Sequence, residues 1–266
     1  IVEKKTGAII SINKNGEELL KTPVTPNFWR ATIDNDRLAS VNIRLVQKLL
    51  GTFRFKNASK TLRPVNYSVE EKEGVATIKI KWKMKCLKKL NTTYVIAKDM
   101  IDMSMDVVSR YEMERYGFKM GVRKSFEKIK FYGKGPFENY CDRQTAALLR
   151  VYEGKAEDFL HDYLMPQENG NHTETRYLEI AKKDQAKLTI LAKDKPFEFS
   201  VHPYTKQMLD QAKHLHELEE LNYLTVNIDG GQRGVGGDIP AMAMLKKQYK
   251  LLPKENHSLK FRIELS

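Results

Sequence analysis

Cysteine is scarce: only Cys86 and Cys141 occur in 266 residues. Their spacing is neither that of a metal knuckle nor that of a redox pair, so no Cys-rich centre organises the fold. One disulfide is left open without anything arguing for it, and the compartment stays open between cytoplasm and periplasm. No apolar run approaches bilayer-spanning length and no signal-peptide pattern opens the chain, so no membrane partner is expected. Acids are outnumbered, 34 against 46 Lys plus Arg, for a formal charge of +12. Such a surplus can mark a nucleic-acid partner, but these lysines are dispersed and alternate with apolar residues, so none is expected. No fixed-period repeat and no low-complexity linker divides the chain, so residues 1–266 read as one domain. The first residues are Ile1-Val2-Glu3, which predicts a piece of a longer polypeptide.

What is present is enough apolar material for a core, 41% hydrophobic and 9% aromatic. Its period is mostly two. In Val75–Cys86, Ile78, Ile80, Trp82, Met84 and Cys86 face one way and Lys79, Lys81, Lys83 and Lys85 the other, a half-buried strand with a lysine ladder on its wet face. Met100–Val108 alternates likewise, with Ile101, Met103, Met105 and Val107 inward. Further strands are expected over Thr6–Ile12, Asn91–Ile96, Phe118–Val122, Phe126–Tyr132, Ala146–Val151, Arg176–Ile180, Leu188–Ala192, Phe197–Val201, Tyr223–Ile228 and Leu259–Leu265. Asn15-Gly16 between apolar runs predicts a hairpin turn. Pro23 and Pro26 predict an extended loop leaving the sheet. Asp34-Asn35-Asp36 reads as the cap of a helix over 37–50, with a hard-oxygen cation site as the alternative. Thr205–Lys213 reads as a second short helix capped by Thr205. Gly230-Gly231 and Gly234–Gly237 read as a flexible loop without the context for phosphate binding. Many short strands and few helices predict a mainly β, antiparallel sandwich.

Two stretches are dense in residues with fixed backbone demands. One is Gly133-Lys134-Gly135-Pro136-Phe137-Glu138-Asn139-Tyr140-Cys141-Asp142-Arg143. The other is Pro166-Gln167-Glu168-Asn169-Gly170-Asn171, followed by Thr173-Glu174-Thr175-Arg176. On chemistry alone, Glu138 and Asp142 beside Arg143 read as acid–base pairs that staple long loops. Taken with Leu20-Lys21-Thr22-Pro23, Phe28-Trp29-Arg30-Ala31-Thr32-Ile33-Asp34-Asn35-Asp36, Asn227-Ile228-Asp229-Gly230 and Gly234-Val235-Gly236-Gly237-Asp238, these form an ordered set. That set resembles the C-terminal domain, or small chain, of the β-galactosidases of glycoside hydrolase family 2, and covers most of the chain.

The resemblance implies a large antiparallel β-supersandwich of the galactose-mutarotase-like type with one or two short helices. It implies retaining hydrolysis of a terminal β-galactoside, with both catalytic glutamates in a separate barrel domain of the same polypeptide. No catalytic residue is then expected here, and no cofactor; a divalent or monovalent cation is left to the full enzyme, as is homo-oligomer formation. Glu138, Asp142, Arg143, Glu168 and Arg176 read as loop-building residues or as contacts to sugar or the neighbouring domain. The family often carries Trp in a G-G-D-D-S-W run that walls the sugar site. Here Gly236-Gly237-Asp238 leads to Ile239-Pro240-Ala241, placing Ala241 at that position. A second family Trp corresponds to Thr225. Tyr223, two residues before it, is the nearest aromatic that could replace the platform, so Ala241, Asp238 and Tyr223 are the substrate-binding candidates. A non-catalytic carbohydrate-binding sandwich is the competing class. An independent mutarotase would need a His–carboxylate pair that the sequence does not reveal. His214-x-His216 would put two imidazoles on one strand face, but with no further ligand in view a plain surface pair is preferred over a metal site.

Overall fold

The computed structural model describes residues 1–38, 54–182, 187–236 and 245–265. Most of the expected helix over 37–50 lies outside them. Asp34–Leu38 is helical, and the Asp-Asn-Asp run occupies its first turn rather than preceding it, where carboxylates favour the positive helix end.

The strands are β1 Asn13–Lys14, β2 Glu17–Glu18, β3 Leu20–Asn27, β4 Arg63–Lys72, β5 Val75–Lys83, β6 Leu87–Ala97, β7 Met100–Ser109 and β8 Arg115–Arg123. They continue as β9 Lys128–Gly135, β10 Leu148–Lys155, β11 His172–Thr175, β12 Tyr177–Ala181, β13 Lys187–Ala192, β14 Phe197–His202, β15 Tyr223–Gln232 and β16 Asn256–Leu265. All pairings are antiparallel. A nine-stranded sheet runs β10-β9-β12-β13-β16-β7-β6-β5-β4 and a five-stranded sheet runs β11-β14-β15-β8-β3. The mainly β, antiparallel expectation therefore holds.

Alternation decides which face meets which. Ile101, Met103, Met105 and Val107 of β7 are buried, while Asp102, Ser104 and Asp106 are half-exposed. Ile80 and Trp82 point inward from β5 and Lys79, Lys81 and Lys83 outward. Aromatic pairs join the two sheets: Phe118 of β8 meets Phe261 of β16 edge-on at 5.8 Å, and Phe131 of β9 meets Phe199 of β14 at 4.9 Å. Rings bury large apolar areas, so these contacts dominate the attraction between layers.

Several local expectations need correction. No regular strand forms over Thr6–Ile12; Ile9 makes only single bridges to Val2 and Val24. The Asn15-Gly16 turn is present, with φ of 52° and 85°, joining β1 to β2. Two central residues with positive φ are what a tight primed hairpin turn requires. Pro23 and Pro26 lie inside β3, not in a loop. An edge strand tolerates proline because its missing N–H need not serve the ladder, and the β3–β8 register slips around them. Gly230 and Gly231 belong to β15, which continues past a register shift to Gln232. The second helix spans Lys206–Gln211, and Thr205 caps it by accepting a bond from Met208 N at 3.2 Å.

The edges of the nine-stranded sheet differ. β4 carries Pro64, a register shift and the charged run Glu70-Glu71-Lys72, devices that oppose strand addition. The first half of β10 instead exposes Leu148, Leu149 and Val151.

His172 lies wholly buried between the layers, its ring against Phe131, Phe159 and Phe199 and its Nδ1 3.1 Å from Lys134 O. Burial pushes its pKa from 6.5 down to about 4. A depressed histidine gives stability that is present above its unfolded pKa and lost as pH falls through the folded one. Compared with His172→Phe, the parent should lose on the order of 3 kcal/mol between pH 6.5 and 4. Urea unfolding at a series of pH values checks this; parallel pH profiles would refute it.

Candidate functional site

The loop leaving β9 and the loop preceding β11 lie against each other. Asn139 N donates to Asn171 O at 2.7 Å, and Asn171 Nδ2 donates back to Asn139 O at 2.9 Å. The Asn139 side chain receives Thr173 N and Thr173 Oγ1 and donates to Lys134 O and Phe137 O. Buried Glu138 accepts from Gly170 N at 2.9 Å and from Arg143 Nη1 at 3.1 Å, with Tyr163 OH also donating to it. Burial and then Glu138 push the Tyr163 hydroxyl up to about 12, keeping it a donor at neutral pH.

Below these loops is a fully buried guanidinium. Arg115 reaches Asp229 of β15 at 2.5 Å and Glu168 of the second loop at 2.8 Å. The other Glu168 oxygen accepts Ala31 N at 3.0 Å. Gly117 leaves the room this needs, since a Cβ there would stand 2.4 Å from Asp229 Oδ1. Burial pushes the Asp229 carboxyl up to about 6 despite the guanidinium beside it. Burial by itself would lower the Arg115 pKa, but Asp229 and Glu168 hold it above its ordinary value.

A further layer fixes the chain as it leaves β15. Arg30, itself buried, donates to Arg233 O at 2.7 Å and Gly234 O at 3.0 Å. Arg233 pairs with Asp36 at 2.5 Å. Asp142 accepts Val235 N at 3.1 Å and Gly236 N at 2.8 Å, while Asn35 Nδ2 donates to Val235 O at 2.6 Å. Under Trp29 lies Lys206, buried, its ammonium group 4.3 Å from the ring centre and bonded to Trp29 O and Asn27. Burial drives the Lys206 pKa well below its ordinary value. A cleft of about 260 Å³ opens between Asn35, Tyr140, Arg143, Tyr163, Glu168 and Gly236.

The structure thus gathers Glu138, Asp142, Arg143 and Glu168, but not as a simple pairing of both acids with Arg143. Arg143 takes Glu138, while Asp142 holds backbone N–H groups. Arg176 stays outside the clasp and ties its own loop locally, bonded to Glu174 and half-exposed over Tyr132. Tyr223 starts β15, nine residues before Gln232, or about 30 Å from the strand's exit at some 3.3 Å per residue. Asp238 and Ala241 lie outside the described residues. Arg115, Arg30 and Lys206 were missed as a set; only Arg30 stood in a motif, and nothing near Arg115 in sequence signals partners 53 and 114 residues away.

Arg115→Ala should cost about 3–5 kcal/mol, because it strands two buried carboxylates. Arg143, whose side chain is 57% exposed, should cost about 1 kcal/mol or less on replacement by Ala. Urea unfolding of both variants measures the difference; equal losses would remove Arg115 from its central role.

Comparison with known proteins gives a consistent result. The family described as the β-galactosidase small chain matches residues 1–264. The chain is 31% identical over 280 aligned residues to a β-galactosidase of Halalkalibacterium halodurans, covering 100% of this chain and 26% of that protein. It is 28% identical over 269 residues to a β-galactosidase of Priestia megaterium, covering 99% and 25%. It therefore spans about a quarter of the length of these curated relatives. Among solved structures, a galactose mutarotase-like protein of Lactobacillus casei aligns with a TM-score of 0.48 at 12% identity, covering 99% of this chain and 98% of that one. Match over nearly every residue, with the ordered motifs clasped around one cleft, means that the chain belongs to the β-galactosidase small-chain family.

Proposed function

We propose that this segment completes the active site of a β-galactosidase whose acid and nucleophile are supplied by a barrel domain of the same polypeptide. One observation carries the reading: motif blocks far apart in sequence converge on the backbone leaving β15. Arg30 and Asn35 from the first and Asp142 from the second grip that backbone directly, while Glu168 from the third meets Asp229 of β15 at the Arg115 guanidinium. What they hold in place is the start of the segment through Ala241, which the family places at the sugar. With Ala241 where the family carries Trp, the platform against a pyranose face is reduced to a methyl group unless Tyr223 supplies the missing ring.

The chemistry of the acids supports assigning hydrolysis to the barrel. A glycosidase acid must reach the leaving oxygen and its partner must reach the anomeric carbon. Glu138 and Glu168 are instead buried and saturated by arginine, tyrosine and backbone donors. The role of this segment is then binding and buttressing: excluding water on one side of the sugar and fixing a loop.

Three measurements follow. The 266-residue chain alone should not turn over a chromogenic β-galactoside at high protein concentration. Turnover abolished by Glu138→Gln or Glu168→Gln would overturn the reading. In the complete enzyme, Asp142→Ala should raise KM roughly tenfold, the equivalent of about 1.4 kcal/mol of binding, and leave kcat nearly unchanged. Ala241→Trp should lower KM, and Tyr223→Ala should raise it if Tyr223 supplies the platform. If Asp142→Ala and Ala241→Trp both bind galactoside as the parent does, the segment is a buttress only.

A further inference from the structure

The chain between the helix Lys206–Gln211 and β15 carries a second cluster, unconnected with the cleft. Leu215–Glu217 forms one 3-10 turn, not the strand that the spacing of His214 and His216 suggested. The turn brings the two imidazoles parallel, 5.3 Å apart at 16°. It also supplies the third ligand that sequence spacing lacked. Glu217 Oε1 lies 3.0 Å from His214 Nδ1, and ligand atoms of His214, His216 and Glu217 all fall within 4.8 Å of one another. No other such group occurs among the described residues. Glu217 is oriented by accepting Lys213 N at 3.0 Å. That bond, with His214, lowers its pKa and keeps it anionic.

We propose that His214, His216 and Glu217 form a surface site for a borderline divalent transition ion, of the class of zinc, nickel or copper(II). Imidazole and carboxylate together suit this class; magnesium and calcium prefer oxygen alone. Zinc holds such ligands at about 2.0–2.2 Å, so two of them on one tetrahedral ion stand about 3.3–3.6 Å apart. Exposed side chains need close by at most about 1.5 Å to reach that geometry. The ion replaces the His214–Glu217 hydrogen bond, and water fills the remaining positions. Its position matters because the preceding helix sends Lys206 under Trp29 and Asp210 to Thr32 N at 2.8 Å. An ion that binds only the folded turn stabilises the native state by mass action.

The test uses the complete, tag-free polypeptide titrated with zinc chloride by calorimetry. The parent should bind one zinc more per chain than His214→Ala/His216→Ala, and Glu217→Gln should weaken that equivalent roughly tenfold, or about 1.4 kcal/mol. Copper(II) spectra should show coupling to imidazole nitrogens that the double variant loses. All three positions are solvent-exposed, and metal-free melting curves of parent and variants should coincide. Equal zinc stoichiometry and the same copper spectrum in parent and double variant would overturn the proposal.

Discussion

One cation without access to water, the guanidinium of Arg115, ties together three parts of the chain. Asp229 comes from the centre of the five-stranded sheet, Glu168 from the loop before β11, and Glu168 in turn holds the backbone at Ala31. Removing charges from water costs several kcal/mol per ion, recovered only when the geometry and the remaining hydrogen bonds are satisfied. Such a cluster forms completely or not at all. It therefore imposes a single arrangement on loops that lack a sheet ladder of their own. The asparagine clasp between Asn139 and Asn171, and the grip of Arg30 on the chain after Gln232, build on a base this interaction has already fixed.

What the sequence revealed depended on the range of the information. Period-two alternation in Val75–Lys83 and Met100–Ser109 is local, and it sorted inward from outward side chains correctly. The loops around Glu138 and Glu168 were legible because glycine, proline and asparagine crowd there, each with a backbone demand. Pro23, Pro26 and Gly231 misled, because their usual reading as breakers is overridden at an edge strand and at a register shift. Period two put Tyr223 on a face but said nothing of distance: it stands nine residues before Gln232. Arg115 was invisible because its meaning lies in a partner 114 residues away.

The same contrast separates the acids of this chain. Those that attract attention in a glycosidase, Glu138 and Glu168, are committed to building the loops. The exposed trio at His214, His216 and Glu217 is free of that duty; its side chains face solvent and can rearrange. Burial thus divides carboxylates that hold the architecture from those able to exchange partners.

The unequal edges of the nine-stranded sheet bear on how the segment behaves when separated from the rest of its polypeptide. β4 ends the sheet with proline, a register shift and charge. β10 ends it with Leu148, Leu149 and Val151 in the open, beside unpaired strand backbone. Strand addition is opposed at the first edge and invited at the second. Self-association through this sheet would accordingly be one-sided, joining β10 to β10, because of its two edges only β10 is permissive.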